Sequence, residues 1–580
     1  MRNGCDNGVR HAPQKGIGVA ETVIGLLREC ITAALAASRR GWLVLRENGP
    51  TQVQFWLIAL LIGIAAGFAA LLFRKGISWL QEALYGVDDV RLMHSFAESL
   101  PWYMILLIPV AGGLAVGVIL HLFTPDGRAR SVADVIEGAA LADGRVEQKA
   151  GIASAFASLI TLGSGGSSGR EGPVVHLAAV ISSKVSDWIR ADGITGRDLL
   201  GCAVAAAVSA SFNAPIAGAL FALEVVLRHF AVHAFAPIVI ASVAGTVINR
   251  LEFGGVTEYS LPSDNALQFY AELPAFLILG LVCGLVAVAL MRAVFWAEDL
   301  GNLAQRLSGL PRWLRPACAG LLLGMMAIPF PHIIGVGYET TSAALTGALL
   351  LHEAIVFTVL KVLAVAITLG GRMGGGIFSP SLMIGAMTGL AFGIVATAIF
   401  PDQSGEGTLY ALAGMGAVAA AVLGAPISTT LIVFELTGDW QTGLAVMVAV
   451  SISTALASRL VDRSFFLTQL ERRNIHLAAG PQAYLLAMFR VGLVMRPMDH
   501  ENSAPYERLL TLIEQGIYTD TNATLERALP IFERTGLDFV PVVKLAPGDG
   551  PPALEGALFH VDALKAYNRA LAATAAEEHS

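Results

Sequence analysis

Gly163-Ser164-Gly165-Gly166-Ser167-Ser168-Gly169-Arg170-Glu171-Gly172-Pro173 is the stretch on which the reading of this chain turns. It is a glycine- and serine-rich turn with one glutamate, set between apolar helical stretches. Glycines let successive backbone N–H groups converge on a small anion. Pro173 suits the first turn of a helix, where its missing N–H costs nothing. The positive end of that helix faces whatever sits in the turn. A carboxylate at the same place can occupy the anion site itself. The combination points to an anion pathway with a protonatable plug.

The flanking sequence puts that turn inside a membrane. The 580 residues are 55% hydrophobic and 14% charged, whereas soluble domains are about 25% charged. Apolar runs such as Phe55–Phe73, Tyr103–Phe123 and Ala271–Val294 approach the roughly 20 residues that span a bilayer. Gly151–Leu162, Val174–Val185, Pro215–Val226, Ile377–Val395 and Leu444–Leu456 read as shorter or broken by Gly and Pro. Interrupted helices at membrane depth are tolerated where they are buried in protein or line a cavity, and paired ones point to a transport site. The chain is therefore expected to be an integral, multi-pass protein of a bacterial inner membrane.

Basic residues cluster before the first span (Arg2, Arg10, Lys15, Arg28, Arg39, Arg40, Arg46) and after the last (Arg459, Arg463, Arg472, Arg473). Both termini are expected on the cytoplasmic side, and no cleavable signal peptide is expected. Cys5, Cys30, Cys202, Cys283 and Cys318 fit no metal or redox spacing. The last three lie in apolar helical sequence and are read as small core residues.

The chain repeats itself. Ala203-Val204-Ala205-Ala206-Ala207-Val208 recurs as Ala417-Val418-Ala419-Ala420-Ala421-Val422. Ala214-Pro215-Ile216, with Leu220 and Glu224, recurs as Ala425-Pro426-Ile427, with Leu431 and Glu435. Upstream, Gly169-x-x-x-Pro173 recurs as Gly376-x-x-x-Pro380. The domains read as an N-terminal segment 1–52, a membrane domain 53–475 with halves of about 53–250 and 268–460, and a C-terminal domain 476–580. The residues alone leave the relative orientation of the halves open.

At these residues the sequence resembles the CLC family of chloride channels and chloride/proton exchangers, over about residues 50–475. Gly169-Arg170-Glu171-Gly172-Pro173 matches the family's GREGP motif. Gly376-Ile377-Phe378-Ser379-Pro380 matches GIFxP, and Asn213-Ala214-Pro215-Ile216-Ala217-Gly218 matches NAPxAG. The resemblance implies an all-α polytopic fold of two inverted-repeat halves, with transmembrane and re-entrant helices, and a homodimer with one pore per subunit. It implies chloride or a similar small anion as cargo, with protons as a second one. Glu171 is implied as the gate, and Ser131, Gly169, Arg170, Gly172, Gly376, Ile377, Phe378 and Phe466 as the anion-binding set. N–H groups of Ile377 and Phe378 would replace hydration by partial charge, strong enough to bind and weak enough to release. Arg170 is expected to support structure or steer anions at the mouth.

Three departures from the family pattern bear on mechanism. Where GSGIP is expected, the chain reads Arg130-Ser131-Val132-Ala133-Asp134. Ser131 keeps the family's serine without its glycines and proline, and it also reads as an ordinary helix N-cap. Phe466 stands at the pore-tyrosine position, keeping the ring and losing a hydroxyl donor worth about 1–3 kcal/mol before water compensates. Val225 stands where exchangers often carry an inner proton-transfer glutamate. The neighbouring Glu224 pairs with Glu435 in the repeat and reads as structural, bonding backbone N–H groups or a basic partner.

Residues 476–580 are less apolar. Thr524–Phe532, then Gly536–Val543, Leu554–Leu558 and a helix at Val561–Tyr567, resemble a CBS unit, and Val494–Pro497 resembles the start of a truncated preceding one. This predicts a small α/β cytosolic segment serving dimerisation or regulation. Intact CBS pairs often bind adenine nucleotides, and the truncation weighs against nucleotide here; no other cofactor and no metal is expected. Gly548–Pro552 reads as a turn, and the tail after Leu571 as frayed. The predicted function is chloride transport gated by Glu171, as a channel because of Val225, or alternatively as an antiporter reaching Glu171 by another proton route. An intramembrane enzyme is disfavoured, because His176 has no partner at a metal spacing such as H-E-x-x-H, and nothing suggests nucleic acid.

Overall fold

The longest apolar runs become the longest helices. The computed structural model describes residues 50–87, 89–230, 232–254, 259, 261, 269–401, 407–475, 477, 486, 489–500, 502–544 and 553–578. The basic N-terminal segment and the turn at Gly548–Pro552 lie outside these. The first half contains α1 (Gln52–Tyr85), α2 (Met93–Glu98), α3 (Trp102–Phe123), α4 (Val132–Leu141), α5 (Gln148–Gly163), α6 (Glu171–Ile189), α7 (Gly193–Phe212), α8 (Pro215–Phe221) and α9 (Val232–Phe253). The second contains α10 (Phe269–Ser308), α11 (Arg315–Ala327), α12 (Tyr338–Leu345), α13 (Leu351–Gly370), α14 (Phe378–Ile399), α15 (Gly407–Leu423), α16 (Pro426–Thr437), α17 (Trp440–Leu460) and α18 (Phe465–Glu471).

Among the described residues, seven helices are long and apolar enough to cross a bilayer. Two of these correct the sequence reading. The segments read as short at Ile377–Val395 and Leu444–Leu456 form α14 and α17, both of spanning length. Their glycines do not break them. A Cβ at Gly385 or Gly389 of α14 would strike the α15 backbone, so these glycines serve close helix–helix approach, as small residues do in membranes. Cys202 and Cys283 are buried as expected, but Cys318 is exposed on α11.

The alanine-rich repeat block forms the centre of each half. Ala203–Val208 on α7 and Ala417–Val422 on α15 are almost wholly buried. The two halves meet head to head. Gly169 N–H donates to Gly376 O and Gly376 N–H to Gly169 O, both at 2.7 Å, forming an isolated antiparallel bridge between equivalent loops. A second seam joins α8 and α16. The Glu224 carboxylate accepts the N–H groups of Ile427 (2.9 Å) and Ser428 (2.8 Å) and the Ser428 hydroxyl (2.7 Å). The Glu435 carboxylate accepts the N–H groups of Ile216 (3.0 Å) and Ala217 (2.8 Å). Each glutamate thus satisfies the open N-terminus of the helix in the other half, which is the structural role expected of the pair.

The C-terminal segment is a small α/β unit. Strands β1 (Arg496–Pro497), β2 (Thr519–Asp520), β3 (Phe539–Lys544) and β4 (Ala553–Phe559) lie in the order β1-β4-β3-β2, with β2 parallel to β3 and the other pairs antiparallel. Helices α19 (Tyr506–Glu514), α20 (Leu525–Thr535) and α21 (His560–Glu578) accompany them. The tail expected to fray is instead helical to Glu578, since alanine and glutamate are strong helix formers. Helix α20 reaches the membrane domain. Buried Glu526 faces Arg197 (3.5 Å) and Arg228 (3.9 Å), and Arg527 pairs with Asp143 (2.9 Å).

Candidate anion pathway

Two helix N-termini, one from each half, point into the same small space. Helix α6 begins at Glu171 after the glycine-rich loop, and α14 begins at Phe378 with Ile377 as N-cap. The approach depends on the glycines. A Cβ at Gly172 would lie 3.2 Å from the Gly376 Cα. Gly374 and Gly375 adopt φ of +95° and +110°, a region that side chains other than hydrogen make costly. The loop before α14 therefore cannot take this path without them.

Glu171 is buried, at 3% exposure. Its Oε1 accepts the Ser379 hydroxyl at 2.5 Å, and its Oε2 lies 3.4 Å from the Ser379 N–H. The carboxylate therefore rests on the first turn of α14, where the partial positive charge of the helix is greatest. An anion arriving at that turn competes with the carboxylate for the same donors. Arg170 Nη2 donates to Ser211 O at 3.0 Å, and its Nε makes a long ion pair, 3.9 Å, with Glu171 Oε1. Its guanidinium lies 5.5 Å from the Tyr338 ring centroid.

Glu171 lines a cavity of about 30 Å³, room for one small ion. Ser131, Glu171, Gly172, Gly376, Ile377, Phe378 and Phe466 all line it, so most of the residues named from the sequence converge. Gly169 instead forms the bridge to Gly376, and Arg170 lines a separate outer cavity of about 410 Å³, with Arg74, His94, His332 and Glu339. Ser131 stands at the N-cap of α4 and also lines the cavity. Asp134 accepts its N–H at 2.7 Å and its hydroxyl at 3.2 Å. Val225 does not line the cavity. It is buried in a π-helical turn, Ala222–Leu227, that continues α8.

Three contributors to the site, and one buried lysine away from the cavity, were not named from the sequence. Ser379 was passed over as the variable position of its motif, although a hydroxyl in the first turn of a helix is a ready donor. Phe221 packs against Phe378, with ring centroids 5.9 Å apart, and Gln469 sits within 3.5 Å of the Ser131 hydroxyl; neither has a local signature. Lys361 is wholly buried on α13, donating to Ile333 O (3.2 Å) and Gly335 O (2.8 Å). A lone lysine in an apolar span is itself a signal of function or structure. Among the described residues no cluster of side chains could hold a metal ion.

Residues 112–458 match the family described as voltage gated chloride channel. The chain is 33% identical over 396 residues to a putative chloride channel protein, ClcB-like, of Ralstonia nicotianae, covering 68% of this chain and 91% of that protein. Among solved structures, a slow cyanobacterial Cl-/H+ antiporter is similar with a TM-score of 0.64 at 22% identity, covering 73% of this chain and 98% of that one. A eukaryotic CLC transporter gives a TM-score of 0.64 at 18% identity and covers 90% and 98% of the two chains.

Proposed function

This chain belongs to the CLC family of chloride channels and chloride/proton exchangers, and from that premise we propose that it carries chloride across a membrane through a pore gated by Glu171. The observation that carries the reading is the position of the Glu171 carboxylate on the first turn of α14, at the mouth of a cavity sized for one small ion. Ionised, it competes with chloride for the donors of that turn. Protonated, it loses the attraction and swings aside. Ser131, Ile377, Phe378 and Phe466 then form the anion's surroundings, with Arg170 drawing anions into the outer cavity.

Two modes follow from specific residues. Apolar Val225 favours passive, channel-like conduction. The direct competition between Glu171 and the anion favours exchange, because each chloride that enters then displaces a carboxylate that takes up a proton. The resemblance assigns a homodimer with a pore in each subunit and both termini in the cytoplasm. The C-terminal segment serves as a docked regulatory unit and not as a nucleotide site. No enzymatic activity is proposed.

The test is chloride efflux from proteoliposomes, with potassium and valinomycin setting the voltage. Glu171→Ala is expected to conduct chloride with its pH dependence lost. Abolished flux in a correctly folded variant would sink the gate assignment.

A further inference from the structure

The gate must receive protons, and the usual inner position is Val225, which cannot carry one. A different titratable group lies on the gate helix itself. His176 is 2% exposed, and neither ring nitrogen has a hydrogen-bond partner among the described residues. An unpaired imidazole inside a membrane protein is costly, and a buried polar group left so calls for a functional or water-mediated explanation.

Its surroundings supply one. His176 lies against Gly151 of α5, where a Cβ would be 2.7 Å from Cε1 and 3.0 Å from Nδ1. Glycine at 151 is therefore what makes room for the ring. The next positions on that face of α5 are Ser154 and Ser158. The Ser158 hydroxyl is wholly buried and without a partner among the described residues, as is that of Ser168 in the loop before Glu171. Ser158 lies beside Gly374, and Ser168 beside Gly375. Ser154 is itself bonded, accepting the Arg130 N–H at 2.9 Å and donating to Ala150 O at 2.6 Å, so hydroxyls lead from the imidazole past Ser154 to the unpaired Ser158 and Ser168 beside the loops that hold Glu171. The charged groups acting on His176 are Asp134 of α4, Arg128 and Arg130 just before it, and Glu147 at the start of α5. Glu147 is 60% exposed and pairs with Arg130 at 2.5 Å, so this cluster opens to solvent on the side that carries the C-terminal segment.

We propose that His176 relays protons between that solvent-facing cluster and Glu171, in place of the missing inner glutamate. The relay rests on the reading of Glu171 as a gate that must be protonated. One imidazole nitrogen takes a proton from water at the Asp134–Glu147 cluster, giving the imidazolium. The other nitrogen releases a proton to water on the serine line, and the Glu171 carboxylate accepts it. The ring returns to its first tautomer on turning over. His176 follows Glu171 by five residues, about 7.5 Å along the helix and about 140° around it, so the two exchange protons through water and not by direct contact.

The test is chloride-driven proton movement into proteoliposomes containing the full chain. Wild type is expected to move protons uphill, and His176→Gln to move at least tenfold fewer protons per chloride. His176→Ala is expected to gain at least threefold in proton movement when imidazole is added, a rescue that a packing role would not produce. If the His176 variants fail to fold, Gly151→Ala, which displaces the ring, is expected to lower the proton-to-chloride ratio at least threefold. A wild-type ratio in His176→Gln or Gly151→Ala would overturn the proposal. So would wild type that moves chloride without protons, an outcome that leaves the gate itself to be judged by the pH dependence of Glu171→Ala.

Discussion

Glu224 and Glu435 should contribute to stability in proportion to the helix N-termini they satisfy. Glu224 accepts three hydrogen bonds at 2.7–2.9 Å and Glu435 accepts two at 2.8 and 3.0 Å. Both carboxylates are only partly buried, so each bond takes the lower end of the range for a charged acceptor, about 1.5 kcal/mol. Glu435→Ala should then cost about 3 kcal/mol and Glu224→Ala about 4–5 kcal/mol. Glutamine keeps a neutral acceptor and should cost about half as much in each case. Both caps close the same α8–α16 seam, so the double alanine variant should cost less than the sum of its parts. The assay is the fraction of protein surviving a heat challenge in detergent, read by size exclusion. Unfolding of such a protein is irreversible, so survival is compared as a rate. Equal survival of Glu435→Ala and wild type would refute the capping argument. So would a change in proton-to-chloride ratio for Glu224→Ala at unchanged survival, which would make Glu224 a proton carrier.

Phe466→Tyr should add a hydroxyl facing the cavity and tighten chloride binding by up to about tenfold, or ~1.4 kcal/mol, measured by calorimetry; unchanged affinity would place the ring off the ion's path. Burial holds the Glu526 carboxyl above its ordinary value, while Arg197 and Arg228 pull it down. The docked state therefore binds the proton more tightly than the undocked state. Docking of α20 is strongest below the ordinary carboxylate range and weakens as pH rises through the docked value. Protection of α20 against exchange, corrected for the intrinsic pH dependence of the amides, should accordingly fall as pH rises above the ordinary carboxylate range, and Glu526→Gln should flatten that fall.

The loop that carries the proposed gate was legible because its chemistry is local. A glycine-rich loop, a glutamate and a helix start occupy eleven consecutive residues, and a second loop of the same spacing lies in the repeat. The orientation of the halves was not legible, because it is carried by contacts between residues some 200 positions apart. The Gly169–Gly376 bridge and the crossed Glu224 and Glu435 caps establish it. Span length was misread at α14 and α17 for a related reason. Glycine in sequence reads as a breaker, but at Gly385 and Gly389 it faces a neighbouring helix, and only the neighbour reveals that. His176 looked like a ligand without a partner. Its isolation took on meaning only when Gly151, Ser158 and Ser168 were seen beside it.

Three glutamates of the membrane domain sit on helix N-termini of the opposite half, and two of them grip pairs of backbone N–H groups there. Glu224 and Glu435 each grip two backbone N–H groups at 2.8–3.0 Å, distances typical of full hydrogen bonds. Glu171 takes a flexible serine hydroxyl at 2.5 Å and stands 3.4 Å from the Ser379 N–H, beyond the usual 2.7–3.2 Å for such a donor. A gate has to leave its site when an ion arrives. If Glu171 is the gate proposed above, the Ser379 hydroxyl is one contact that it must give up to leave. Ser379→Ala tests this. Removing the hydroxyl loses a charge-assisted bond of about 1.5–3 kcal/mol from the closed state, so the pH at which flux rises should move upward, with the gate opening under less acidic conditions. A shift in the opposite direction would mean that Ser379 serves the anion more than the gate.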